Sequence, residues 1–437
     1  MSPSAKYYFQ LILCFLGGHA TSVVSFSYGI LQVYLYSYLY QYNPALTMKQ
    51  MHLQLPVLYL ACTSCGWLQG YLSRWISTRI LHLVNMLSMC GWCVVLFWIC
   101  QNFVAATIAL AGIGLSNGML HVYFVSTSVN KAKRHPSLVS GIYGIFQGTS
   151  GIWGNIIGST FMNPWSLEKQ NIESSSRDYI FTDERVLSRV PYMWLILAAI
   201  LFILLLPGLI FIDNDVTEDY LAVELQVQEN SPLRETNKEN LSTENCLNEK
   251  DRVSKPILGT LMFLTAITIG INHLCVFDLF KDFALKLKQY DNSDMFLNNF
   301  GVALVIAGAA GRLVWGFAGD HVPTWLLLVV GNGASAVLQI LMYYGRRDKI
   351  WYLIVCTLLA TTTGMMSIMP SIIKRHIGQE NLARNFGLLL VGETLGTVWY
   401  LVFVTLVGNI PDLTMVWALS VPALLSLVGD IIMIGKY

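Results

Sequence analysis

The stretch AGRLVWGFAGDH, residues 310–321, sets one arginine, Arg312, inside an otherwise apolar run and closes that run with Asp320 and His321. As a helix rising 1.5 Å per residue, the eight positions between Arg312 and Asp320 separate the guanidinium from the charged end by about 12 Å. An ionisable group held that deep in lipid is expensive and faces a protein interior or a cavity, which makes it a functional-site candidate. Whether lipid surrounds this helix is decided by the rest of the chain.

The protein has 437 residues, of which 54% are hydrophobic and 12% charged, against about 25% charged in a soluble domain. An integral membrane protein is the class this composition selects. Net charge is +1, which suggests neither a nucleic-acid partner nor an acidic tail.

Apolar runs long enough to cross a hydrocarbon core of about 30 Å, which takes roughly 20 helical residues, lie near 8–36, 50–72, 80–101, 103–126, 137–161 and 192–212. A second set follows near 257–279, 295–318, 323–344, 350–372, 384–409 and 413–435. Lipid offers the backbone no hydrogen-bond partner and the runs are too long for barrel strands, so all are read as helices. The predicted fold is all-α, with twelve transmembrane helices in two six-helix bundles. The first run lacks a small-residue cleavage site and is expected to stay in the mature protein.

Between the two sets, residues 213–255 are polar and rich in Asp, Glu and Asn, as in a flexible linker. The predicted organisation is a bundle over 1–212, the linker 213–255 and a bundle over 256–437. Orientation follows from basic residues in short loops. Arg74 and Arg79, Lys131, Lys133 and Arg134, and Lys374, Arg375 and Arg384 all fall on one side, read as cytoplasmic together with both termini and the linker. The loop with Arg346, Arg347 and Lys349 argues the other way. The acceptor triplet Asn240-Leu241-Ser242 is then expected to stay unglycosylated, in a plasma or organelle membrane.

The halves echo one another. GYLSRWISTR (70–79) leaves the second helix and GFAGDHVPTW (316–325) leaves the eighth, while KRH recurs at 133–135 and 374–376. Parallel six-helix repeats of this kind build one family of secondary transporters. Over essentially its whole length the chain resembles the major facilitator superfamily. Gly70, Leu72 and Arg79, and Gly316, Gly319, Asp320 and His321, are similar to its signature loops, with one departure: Arg74 stands where the first-half aspartate is usual. Gly70, Arg74, Arg79, Gly316 and Asp320 are accordingly expected to act in gating.

GRLVWGFAGD in the eighth helix, GIGLSNG (112–118) in the fourth and SGIYGIFQGTSG (140–151) in the fifth resemble the oxalate/formate antiporter and monocarboxylate porter group. That resemblance implies a rocker-switch carrier of small organic anions, with the eighth-helix arginine on the anion. Relatives handling dicarboxylates carry a lysine near the position of Glu393, so glutamate there argues against oxalate. Independently of the resemblance, small residues one turn apart, Gly144, Gly148, Gly151, Gly154 and Gly158 in the fifth helix and Gly18, Ser22, Ser25 and Gly29 in the first, let helices pack closely in lipid. Static packing and a sliding surface both require that contact.

Arg312 offers a planar fork of donors suited to a carboxylate. Glu393 is its expected partner, able to neutralise it in the empty carrier, take a coupling proton or hold a substrate ammonium. Glu393, Gly396, Thr397 and Tyr400 share one helical face, read as a polar cavity wall. His19, His121, His273, Tyr28 and Tyr400 complete the substrate-binding candidates, the histidines being equally readable as hydrogen-bonded structural groups. Asp278 falls between the seventh helix and the following loop, and Asp430 is read as interfacial.

The nine cysteines include CTSC (62–65) and CGWC (90–93), but both lie mid-span, where small apolar packing fits better than redox chemistry. No zinc spacing, phosphate loop or paired catalytic carboxylates appear, so neither an enzyme nor a cofactor or metal is expected. The function read from the sequence is transport of a small monocarboxylate-like solute by alternating access, by proton symport or exchange. Its partners are the solute, protons and the lipid bilayer. A carrier of amino acids or other zwitterions, and a sensor of transporter shape that moves nothing, remain as alternatives.

Overall fold

A computed structural model describes residues 3–51, 53–132, 134–165, 167, 170–171, 179–212, 255–275, 294–345, 347–378, 382–402 and 412–434. The greater part of the linker with its Asn240 triplet, together with Lys133, Asp278 and Arg346, lies outside them. Twelve helical rods follow one another among the described residues. The first six are α1 (Pro3–Tyr42), α2 (Gln54–Leu72), α3 (Thr78–Ile99), α4 (Phe103–Lys131), α5 (Pro136–Thr149, resumed over Ile152–Ile156 and Ile157–Met162) and α6 (Val190–Phe211). The second six are α7 (Lys255–Leu274), α8 (Asp294–His321), α9 (Thr324–Gly345), α10 (Lys349–Thr362, Thr363–Ile368 and Met369–His376), α11 (Leu382–Leu401) and α12 (Asp412–Ile434). A two-residue antiparallel pair, Gln170–Asn171 with Tyr179–Ile180, lies between α5 and α6.

Eight helices among the described residues are long and apolar enough to cross a membrane by length and composition. Their outward faces show why. Along α3, Ile80, Val84, Leu87, Val94 and Trp98 are exposed at helical spacing, an apolar stripe that suits hydrocarbon and would be a liability in water.

Within the first six helices α2 packs on α4, α3 on α6 and α1 on α4, α5 and α6; within the second, α7 packs on α11 and α12, α8 on α10 and α9 on α12. Two seams join the sets, α2 against α11 and α5 against α8. Glycine makes the second seam: a Cβ on Gly141 would stand 2.6 Å from the Arg312 carbonyl oxygen, and one on Gly316 2.9 Å from Gly141 Cα. The backbones touch because neither residue has a side chain.

Helix α10 does not run straight. Pro370 has no N–H to donate and its ring crowds the carbonyl four residues back, and the turns before it tighten to a 3-10 helix over Thr363–Ile368. Gly364 sits in this stretch, where a Cβ would lie 2.6 Å from Arg312 N. The tightened segment thus crosses α8 at the arginine.

The cysteines of both CxxC stretches are free thiols within helices α2 and α3. Asp430 is buried, at 2% exposure, because α7 and α9 pack over that face of α12.

Candidate functional site

Arg312 lies in a trough on α5. A Cβ on Gly144 would come within 2.7 Å of Arg312 Cδ and one on Gly148 within 3.1 Å of Nη1, so the glycine stripe is the space the side chain occupies. Arg312 Nη1 donates to the Gly144 carbonyl at 2.7 Å, and the guanidinium stands 5.8 Å from the Phe26 ring centre on α1, a cation–π distance. The backbone is held from the other side by Ser367, whose hydroxyl donates to the Arg312 carbonyl at 3.1 Å. One of five guanidinium donors is thereby used. No ion pair engages Arg312 among the described residues.

The remaining donors border a cavity of about 70 Å³ lined from both helix sets. Such a volume holds a few waters or a small solute. Tyr59, His121, Tyr143, Gln147, His273 and Glu393 are among its walls. Glu393 has nonpolar reasons for its place: Gly270 on α7 meets the Glu393 backbone, where a Cβ would lie 3.2 Å from its Cα. Its carboxylate accepts no hydrogen bond among the described residues, and it does not approach Arg312 within ion-pair distance.

Two histidines border the cavity as halves of hydrogen-bonded pairs. His273 Nε2 lies 2.9 Å from the Tyr59 hydroxyl, linking α7 to α2, and His121 Nδ1 lies 2.9 Å from the Tyr143 hydroxyl. Thr63 and Thr394 add a polar link between α2 and α11 at 2.5 Å.

His19, Tyr28 and Tyr400 lie off the cavity. The Trp153 indole N–H donates to His19 Nε2 at 2.9 Å and His19 Nδ1 meets the Phe146 carbonyl at 2.7 Å. Both nitrogens are used, and the donor pattern puts the proton on Nδ1. The Tyr28 hydroxyl donates to Gln54, and Tyr400 is buried in an apolar cluster with Leu274, Leu359 and Leu419. Nor does the face from Glu393 to Tyr400 form one polar wall: Gly396 packs on Ile267 and Gly270 of α7, leaving Glu393 alone at the cavity. Sequence reasoning missed Tyr59, Tyr143, Gln147 and Phe26. Ser140, Tyr143, Gly144 and Gln147 recur at helical spacing, a signal that could have found two of them; Tyr59 and Phe26 carry none in a chain with 21 Tyr and 20 Phe.

At the end of the rods where α8 stops, Asp320 grips the start of α5. Its Oδ1 accepts from Ser137 N at 3.1 Å and its Oδ2 from Leu138 N at 2.9 Å, a carboxylate on two of the amides a helix N-terminus leaves free. Arg375 Nη2 donates to the same Oδ1 at 2.6 Å and Arg375 Nη1 to the Gly319 carbonyl at 2.8 Å. Lys374 complements it at the end of α4, donating to the carbonyls of Val129, Asn130 and Ala132 at 2.8, 3.2 and 2.7 Å. The Ser137 and Ser371 hydroxyls meet at 2.5 Å between them. A carboxylate at one helix start and an ammonium at the neighbouring helix end therefore clasp a single connection.

The matching first-half loop is built differently. Gly70 meets the backbone of Ala383 and Arg384, a Cβ there standing 2.5 Å from Arg384 Cα. Arg74 and Arg79 are exposed.

No family model matches the chain. It is 26% identical over 174 residues to the uncharacterised MFS-type transporter YhjX of Escherichia coli (strain K12), a stretch that is 38% of this chain and 42% of that protein. Among solved structures it is similar to the proton:xylose symporter XylE bound to 6-bromo-6-deoxy-D-glucose, with a TM-score of 0.66 at 12% identity, covering 97% of this chain and 95% of that one. The E. coli fucose:proton symporter FucP gives 0.64 at 13% identity, covering 99% of each chain. The human organic anion transporter MFSD10 gives 0.61 at 12%, covering 97% of this chain and 99% of that one. With two helix sets, seams at α2–α11 and α5–α8 and a cavity between them, the chain has the fold of the major facilitator superfamily's transporters.

Proposed function

We propose that this protein is a secondary transporter that moves a small monocarboxylate-like organic anion through the cavity at Arg312 by alternating access. The observation that carries the reading is Arg312 itself: a guanidinium at the meeting of the two helix sets, bordering a cavity, with one backbone hydrogen bond and no carboxylate partner among the described residues. A bound carboxylate would take the unused donors and supply the missing counter-charge. In this reading Glu393, on the same cavity and unpaired, exchanges the coupling proton, and Asp320, Lys374 and Arg375 hold one gate shut.

Sharing of the fold by sugar symporters and by an organic anion transporter means that the fold does not select the solute. A second reading rests on Glu393. A zwitterion would set its carboxylate on Arg312 and its ammonium on Glu393, using both unpaired groups at once.

Uptake of labelled solutes into proteoliposomes, with and without an imposed proton gradient, tests both. Accumulation of monocarboxylates that rises with an inward proton gradient supports the first reading, and accumulation of amino acids but not of monocarboxylates supports the second. Sugar uptake indifferent to Arg312 would refute both. In orientation, we place the termini, the linker and the Asp320 gate on the cytoplasmic side, with the helix sets 1–212 and 256–437 moving as two bodies.

A further inference from the structure

Away from the cavity, α7, α9 and α12 pack on one another and enclose four oxygen-bearing side chains. Thr265 on α7, Asn332 on α9 and Ser426 on α12 are fully buried, and Asp430 on α12 is 2% exposed. Asn332 Nδ2 joins them, donating to Thr265 Oγ1 at 2.9 Å and to Asp430 Oδ2 at 2.8 Å. The Thr265 hydroxyl hydrogen is committed to the Leu261 carbonyl at 2.9 Å.

Three oxygens of this cluster have no hydrogen-bond partner among the described residues: Asp430 Oδ1, Asn332 Oδ1 and Ser426 Oγ. Their residues are neighbours. Two belong to the pair of groups joined by the 2.8 Å hydrogen bond, and Ser426 stands one helical turn before Asp430 on the same face. Asp430 and Asn332 offer only acceptors at these atoms, and no basic side chain reaches Asp430 among the described residues. The Ser426 hydroxyl can donate to one of these two acceptors, which leaves the other unpaired and the carboxylate unneutralised among the described residues.

A cation can satisfy both. The donor set is all oxygen, one carboxylate with an amide and two hydroxyls, which suits a hard ion and offers nothing to a soft one. One negative charge balances one positive charge. We propose that Thr265, Asn332, Ser426 and Asp430 form a binding site for a sodium-sized monovalent cation inside the second helix set, separate from the Arg312 cavity. None of the four lines that cavity, so the site stands or falls apart from the transport reading.

The test uses the purified full-length chain in detergent, its melting temperature followed as sodium chloride replaces choline chloride at constant ionic strength. Sodium should raise the melting temperature saturably, and equilibrium dialysis with radioactive sodium should find one ion per chain. Asp430→Asn should abolish both responses, Ser426→Ala should raise the half-saturating sodium concentration about tenfold or more, and Glu393→Gln should keep both. Failure of the wild-type protein to bind sodium, a response that survives Asp430→Asn, or one lost in Glu393→Gln instead would overturn the proposal. Stabilisation by acid with no effect of sodium would make Asp430 a proton site and would also overturn it. Should Asp430→Asn fail to fold, an unchanged half-saturation in Ser426→Ala is decisive against the site.

Discussion

Arg312 and Glu393 border one cavity from α8 and α11 without forming the ion pair their charges invite; Arg312 Nη1 donates instead across the seam to the Gly144 carbonyl at 2.7 Å. In the proposed mechanism, two opposite charges left apart on one cavity are each available to a visiting group. The functional predictions start from that separation.

Arg312→Lys keeps the positive charge and loses the fork. A hydrogen bond to a charged group contributes about 1.5–3 kcal/mol, so loss of one prong should weaken solute binding about 10–100-fold. Solute affinity in proteoliposomes, with membrane yield as the folding control, checks this; unchanged affinity would place the solute elsewhere.

Glu393→Gln preserves shape and removes the titratable carboxylate. Transport should persist under a solute gradient and stop responding to an imposed proton gradient. A gradient response equal to that of the wild-type protein would leave Glu393 no part in coupling.

Gly144→Ala and Gly118→Ala separate two uses of glycine. At Gly144 the added methyl meets the Arg312 side chain at 2.7 Å, which can move only by withdrawing the guanidinium from its place. Apparent KM should rise about tenfold or more, the misplacement of one charged group, with the yield of folded protein kept. At Gly118 the methyl meets the Cys62 backbone carbonyl, which cannot yield. That variant should lose stability, by 1–3 kcal/mol or about that for overpacking, as a lowered melting temperature shows.

Asp320→Asn removes the charge that Ser137 N, Leu138 N and Arg375 share and keeps the side chain's size. In the proposed mechanism these contacts belong to one gate, so turnover should change about tenfold, the scale of one charge-assisted bond, while solute affinity stays near the wild-type value. A large loss of affinity at normal turnover would move Asp320 from gate to binding site.

The fold was legible because burial in lipid leaves the backbone one solution, so apolar length alone located the rods: the run at 192–212 is α6 (Val190–Phe211) and that at 323–344 is α9 (Thr324–Gly345). Charge at depth located Arg312 and Glu393 on the same reasoning. What a linear pattern could not carry is which face of a helix its neighbours cover. Tyr400 shares a helical face with Glu393, yet α7 packs along that face through Gly270, and the tyrosine ends in an apolar cluster. His19 and His121 look alike in sequence; only the indole of Trp153, 134 positions away, fills the last nitrogen of one of them. The position of Asp430 near the end of α12 likewise says nothing of the helices packed over it.

The clasp on the connection from α4 to α5 is ionic, whereas at the other seam Gly70 lies flat against the backbone of α11. Ionic contacts can be exchanged for water one at a time, whereas a backbone seam has nothing to exchange until it parts as a whole. In the proposed transport cycle the two halves would be hung like a door, with the α2–α11 seam as the hinge side and the α5–α8 seam as the latch side, so that opening at this end would start at Asp320 and Lys374 and pivot about Gly70.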